Sequence, residues 1–220
     1  MQAHLERRSG RQLFGWKIAA TSRAGQAHIA VDGPLAGRLI GEHAIESGGT
    51  LPFGANHMRV AEAEFAFRMA KDLPPRPNRY TTEEVMAAVG TLHLAIEVPD
   101  SRYRDFARVG APQLVADDSC ACFFVLGDEA MGWRGVDLAA HPVAGHKNGA
   151  VAERGSGANV LGDPRVALAW LANDRAARGD GLKAGQIVTT GTCIKPMTIA
   201  PGDRVVADFG ALGRVRVQFS

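Results

Sequence analysis

The 220-residue sequence has only three cysteines, an odd number that makes no disulfide framework and points to a reducing, cytoplasmic setting. It has no excess charge of one sign either. Lys and Arg total 25 against 23 Asp and Glu, so the formal net charge is +2. The two kinds are interspersed, which leaves no electrostatic footprint for nucleic acid or a membrane surface. No apolar stretch approaches the ~20 residues that span a bilayer. The chain does not open on the charged, apolar, small-residue pattern of a signal peptide. Repeats, low-complexity tracts and Ser/Gly linkers are lacking, so residues 1–220 read as one domain.

Two familiar motifs are missing as well. Gly155-Ser156-Gly157-Ala158-Asn159 lacks the Gly-Lys-Ser/Thr ending of a phosphate loop. No Gly-x-Ser-x-Gly nucleophile elbow is present. Cys120 and Cys122 have no second cysteine or histidine pair beside them and read as core thiols on one face of a strand within 114–126. His93 alternates with apolar neighbours and reads as a satisfied core histidine, and His141 and His146 as surface residues. The basic stretch Glu6-Arg7-Arg8-Ser9-Gly10-Arg11 reads as a solvated N-terminal segment.

What is present is turn chemistry. Twenty-six glycines and 11 prolines punctuate the chain at short intervals, as suits a sheet-dominated α+β fold. Strands are expected at 13–21, 92–98, 187–193, 204–209 and 214–219, with a short extended run at 27–31 and irregular chain at 37–57. Asn148-Gly149 between 143–147 and 150–154 predicts a hairpin. Thr81-Thr82-Glu83-Glu84 has the spacing of a capping box and starts a helix running to about residue 89. Asp163-Pro164 starts another, which Gly179 stops. About ten strands and two sizeable helices are expected, without strict βαβ alternation.

The unusual feature is Ala61-Glu62-Ala63-Glu64-Phe65-Ala66-Phe67, two acids one position apart in an apolar run. Local propensity over 58–71 favours helix, whereas the alternation favours strand. On a strand Glu62 and Glu64 project from one face; on a helix they lie ~200° apart. Glu97, in Leu94-Ala95-Ile96-Glu97-Val98, is a third acid in a similar setting. Three buried carboxylates would suit a hard divalent cation, while a solvated face is the plainer alternative for the pair. Lys17, inside Gly15-Trp16-Lys17-Ile18, is either a snorkelling edge residue or a cation that meets a substrate carboxylate.

Taken in order, these motifs resemble the 2-keto-4-pentenoate hydratases of the fumarylacetoacetate hydrolase superfamily. The resemblance runs through Gly15-Trp16-Lys17-Ile18, Glu62-Ala63-Glu64-Phe65, Ala95-Ile96-Glu97-Val98 with Asp100-Ser101-Arg102, and Gly155 to Pro164. It continues in Ala169-Trp170-Leu171-Ala172-Asn173, Thr189-Thr190-Gly191-Thr192 and Pro201-Gly202-Asp203. It implies a mixed, rolled β-sheet core with peripheral helices, a homo-oligomer and a role in meta-cleavage degradation of aromatic compounds. It implies Mg²⁺ or Mn²⁺ held by Glu62, Glu64 and Glu97, a catalytic and substrate-facing Lys17, and a Gly191-Thr192 turn that meets the substrate carboxylate. The implied reaction is hydration of 2-hydroxypenta-2,4-dienoate or a related 2-oxo-alkenoate to a 4-hydroxy-2-oxo acid.

The resemblance also implies alternatives. A 4-oxalocrotonate-type decarboxylase uses the same scaffold, with Arg102 as a candidate for its second carboxylate. A non-catalytic partner subunit is another, since hydratases and decarboxylases of this family associate. Two departures stand out. Leu35 occupies the region where some members carry a proton-transferring acid, with Asp32 the nearest acid, and Asp117-Asp118-Ser119-Cys120 replaces an Asn- and Ser-bearing run. The sequence also begins almost at the Lys17 strand, so the family's N-terminal helical segment is expected to be lacking.

Overall fold

The computed structural model describes residues 2–10 and 13–220; Arg11, at the end of the basic stretch, lies outside the described residues. In chain order the first elements are α1 (Gln2–Ser9), β1 (Leu13–Ala19), α2 (Arg23–His28), β2 (Leu35–Ile40), β3 (Ala44–Glu46), β4 (Thr50–Leu51) and β5 (Val60–Met69). Then come α3 (Thr82–Ala87), β6 (Val89–Val98), α4 (Ala111–Ala116), β7 (Phe123–Glu129), β8 (Pro142–Lys147) and β9 (Ala150–Ser156). The last are α5 (Pro164–Ala177), β10 (Ile187–Thr192), β11 (Met197–Thr198), β12 (Arg204–Asp208) and β13 (Arg214–Phe219). No helix among the described residues is long and apolar enough to cross a membrane.

The fold is a mixed α+β architecture with a curled, largely antiparallel sheet core and peripheral helices. One sheet runs β2-β1-β10-β5-β6-β7-β3, with β11 also paired to β5. The other runs β4-β13-β12-β8-β9. Parallel pairing is confined to β1 with β10, β3 with β7 and β13 with β4. Phe65 on the first sheet meets Phe209, just beyond β12, with ring centroids 4.9 Å apart in an edge-on contact that locks the two sheets together.

The helix-or-strand ambiguity of 58–71 resolves to strand. Ala61, Ala63, Phe65, Phe67 and Met69 are all buried on one face, and β10 and β6 pair along the two edges of β5. Burial on both faces and a paired backbone on both edges outweigh the helix propensity of Ala, Glu and Met.

The capping box forms as expected. Thr81 Oγ1 accepts from Glu84 N at 3.2 Å, and Glu84 Oε2 accepts from Thr81 N at 2.8 Å. Asp163 Oδ1 accepts from Arg165 N at 2.7 Å and starts α5, and the Asn148-Gly149 turn joins β8 to β9.

The readings of three segments are corrected. Residues 27–31 are not extended: Ser22 caps α2, accepting from Gly25 N at 3.0 Å, and the helix runs to His28. Residues 37–57 contain most of β2 and all of β3 and β4. Cys120 and Cys122 are not on one face of a strand, because 114–126 holds the end of α4 and a left-handed turn before β7 begins at Phe123. The basic N-terminal stretch lies largely in α1 and is solvated as expected, with Arg7 and Arg8 exposed, while Glu6 pairs with Arg38. The described residues form thirteen strands and five α-helices rather than about ten and two.

Candidate metal and substrate site

The antiparallel register of β5 and β6 sets Glu62 directly opposite Glu97, with Glu64 two residues along the same face. One oxygen from each of the three carboxylates lies within 4.8 Å of the others. Glu64 and Glu97 are buried and Glu62 is half-buried. The solvated-face alternative is therefore wrong for this pair.

Three like charges this close, away from water, resist ionisation. Burial first, and then the charge of Glu97, pushes Glu62 up to about 7. Burial, with Glu97 and Glu62, holds Glu64 well above the ordinary carboxylate range.

Lys17 supplies part of the compensation. Its Nζ stands 2.7 Å from Glu97 Oε1 in a buried ion pair. It donates to Ser119 O at 3.0 Å. Burial opposes its charge, but the carboxylates of Glu97 and Glu62 outweigh burial and hold the ammonium above its ordinary value. Lys17 is thus a buried ion-pair member, not a snorkelling edge residue.

Two local backbone features make this arrangement. Gly191 has φ +100°, and a Cβ there would fall 2.0 Å from Thr21 Oγ1. Glycine lets its N–H reach Glu64 Oε2 at 2.9 Å. Opposite Lys17, a Cβ on Gly37 would fall 2.3 Å from Asp118 O. That close approach seats a run of three left-handed residues, Asp118, Ser119 and Cys120, with φ of 56°, 53° and 63°. Asp118 Oδ1 accepts from Arg38 N at 2.8 Å, and Ser119 Oγ donates to Ala36 O at 2.9 Å. These bonds tie the run to β2 and hold the Ser119 carbonyl on Lys17.

Glu64 Oε1 and Glu97 Oε2 are buried without a partner among the described residues, while Glu97 Oε1 meets Lys17 Nζ. Orphaned carboxylate oxygens converging on one point are costly unless a cation meets them, so the donor set fits a hard divalent ion. Lys17, Glu62, Gly191 and Thr192 open together onto a cavity of about 680 Å³. Its other walls include Leu35, Met58, Phe106 and Leu114.

Sequence reasoning missed several lining groups. Ser119 and Cys120 reach the cavity only through the left-handed run, which no pattern announces. Asn159 also lines it and donates to Cys193 O at 2.7 Å. Its signal was the Gly155–Asn159 motif, whose glycines permit close backbone approach. Arg102, the candidate for a second carboxylate, is not among the cavity residues. Asp117 holds its guanidinium, and Nη1 donates to Ala121 O at 3.3 Å. Asp32 does not line the cavity either.

The family model for the fumarylacetoacetate (FAA) hydrolase C-terminal region matches residues 41–220. The chain belongs to the fumarylacetoacetate hydrolase superfamily. Within it, the chain is 33% identical over 216 residues to the 2-keto-4-pentenoate hydratase of Burkholderia vietnamiensis, covering 98% of this chain and 81% of that one. It is 32% identical over 210 residues to a 4-oxalocrotonate decarboxylase of Pseudomonas putida, covering 96% and 78%. Among solved structures, the 4-oxalocrotonate decarboxylase from Pseudomonas putida G7 complexed with magnesium and adipate superposes with a TM-score of 0.89 at 32% identity. That match covers all of this chain and 83% of the other. The chain is thus closely related to the hydratase and decarboxylase branch, and its chemistry is of the lyase type.

Proposed function

We propose that this chain is a divalent-metal-dependent decarboxylase of a 2-oxo-3-enedioate, with Mg²⁺ or Mn²⁺ held by Glu62, Glu64 and Glu97. The observation that carries the choice is the cavity wall. Among the described residues it presents no carboxylic acid apart from Glu62, and Leu35 lines it in the region where some members of the family carry a proton-transferring acid. Adding water to a dienoate calls for a group that moves protons at the far end of the substrate. Losing CO₂ needs chiefly an electron sink at the C2 oxygen.

When bound, the divalent cation supplies that sink as a Lewis acid toward the 2-oxo acid end. The chain's own residues do the rest. Lys17, fixed between Glu97 and Ser119 O, sets a positive charge beside the 2-oxo acid and offsets one carboxylate of the ligand set. Gly191 and Thr192 form the turn that meets the substrate's C1 carboxylate. Leu35, Met58, Phe106 and Leu114 exclude water from the conjugated chain. The C5–C6 bond breaks, and its electron pair passes through the conjugated system to the C2 oxygen. CO₂ leaves, and a proton from solvent completes the 2-hydroxydienoate.

The magnesium- and adipate-bound relative supports this reading, since adipate is a saturated six-carbon dicarboxylate. A hydratase is the second reading. It is favoured by relatives such as the Burkholderia hydratase and by His28, a cavity-lining side chain able to carry a proton. The test incubates the Mg²⁺- or Mn²⁺-loaded protein with 2-oxohex-3-enedioate and, separately, 2-hydroxypenta-2,4-dienoate, with products identified by mass. CO₂ loss from the first is expected. Water gain by the second without CO₂ loss from the first overturns the decarboxylase in favour of the hydratase. Turnover of neither leaves a non-catalytic partner subunit.

A further inference from the structure

Between β10 and β11 the chain runs against β5 but not in step with it. Thr192 pairs with Glu64 and Met197 pairs with Ala61. The chain therefore advances five residues while β5 advances three. Cys193 N still donates to Ala63 O at 2.8 Å, so the extra residues bulge out at 194–196. Ile194 and Met197 are each 2% exposed and anchor the bulge in the core, while Lys195 stands out between them.

The bulge is pinned. Thr192 Oγ1 donates to Ile194 O at 2.8 Å, Asn159 Nδ2 holds Cys193 O, and Pro196 fixes the following φ. The base of the Lys195 side chain is thereby held relative to the strand that carries Glu62 and Glu64.

Lys195 lines the cavity, and among the described residues its ammonium has no ion-pair or hydrogen-bond partner. Lys17, by contrast, is already engaged by Glu97 and Ser119 O. With three carboxylates, a divalent cation and Lys17, the ligand end is neutral in formal charge. A 2-oxo acid with one carboxylate spends it there and leaves Lys195 unmatched. A substrate with a second carboxylate would match it.

We infer that Lys195 is the specificity-determining residue that receives the second carboxylate of a dianionic substrate. This rests on the reading that the three glutamates and Lys17 take the 2-oxo acid end. Its role is in binding rather than chemistry, because the charge it meets disappears as CO₂ forms.

The test measures binding of hexanedioate and of hexanoate to the Mg²⁺-loaded protein by calorimetry, for the parent, Lys195→Met and Lys195→Arg. The parent is expected to prefer hexanedioate. Lys195→Met should weaken hexanedioate about three- to tenfold and leave hexanoate unchanged, and Lys195→Arg should restore the preference. Absence of any preference in the parent, or equal effects of Lys195→Met on both acids, overturns the inference. The two proposals fail separately. Preference for hexanedioate without CO₂ release from 2-oxohex-3-enedioate sinks the decarboxylase and leaves Lys195 standing. CO₂ release with a KM indifferent to Lys195→Met does the reverse. If both hold, Lys195→Met raises KM for the diacid without lowering kcat.

Discussion

Glu62 and Glu97 face each other across an antiparallel strand pair, a position where like charges directly opposite destabilise a sheet. Glu64 adds a third carboxylate with one oxygen unpartnered. The fold keeps an arrangement that is unfavourable in the absence of a cation.

Glu64→Gln should separate metal binding from folding. Burial and the neighbouring carboxylates raise Glu64 well above the ordinary carboxylate range, so glutamine mimics its protonated form and can still accept from Gly191 N. The melting temperature of metal-free protein at pH 7 should change little. The rise that Mn²⁺ gives the parent should be lost or strongly reduced. Thermal scans with and without Mn²⁺ check this; an undiminished Mn²⁺-induced rise would remove Glu64 from the ligand set.

The metal-free protein should lose stability as pH rises from about 4.5 to 7. Over that window the unfolded chain has released the Glu62 proton while the folded chain, where the group sits at about 7, still binds it. The sign follows from linkage: the folded state binds more protons, so raising pH favours unfolding until Glu62 ionises in both states. Glu62 alone contributes on the order of 3 kcal/mol. Asp118, which burial raises to about 6, acts in the same direction. Urea unfolding from pH 5 to 8 measures the slope, and saturating Mg²⁺ should flatten it by displacing the protons.

Lys17→Met should abolish turnover yet leave Mn²⁺ binding measurable. The substitution removes a cation from beside the ligand set without touching a ligand. It leaves Glu97 without its counter-charge, which costs the metal-free fold about 3–5 kcal/mol. Lys17→Arg should not rescue, because the space between Glu97 and Ser119 O is filled by a compact ammonium. Turnover by Lys17→Met near the parental rate would reduce Lys17 to a structural ion pair.

Much of this site was legible in the sequence because its logic is local. Once 61–67 is extended, its alternation brings Glu62 and Glu64 onto one face, and the Thr81 box and Asn148-Gly149 turn carry their geometry in their own residue types. The third ligand and Lys17 come from other strands, and only the ordered family motifs joined them to the pair. What stayed hidden is non-local or depends on the sign of φ. Residues 114–126 look like a strand by alternation, yet three successive left-handed residues turn the chain there. Arg102 was a candidate for a second carboxylate, but Asp117, fifteen residues on, holds its guanidinium. The bulge that presents Lys195 is a mismatch of pace between two strands, and no single segment records it.

The period-2 geometry of β5 has a consequence for how such a site can change through evolution. A slip of one residue against β6 would send Glu62 and Glu64 into the face now filled by Ala61, Ala63 and Phe65, and bring those apolar groups to the cavity. It would also shift the partners of β10 and β11, and with them the anchored bulge. No gradual drift of the register keeps a partly working centre. Ligands, turn and rim are inherited together, and variation is left to the walls of the cavity.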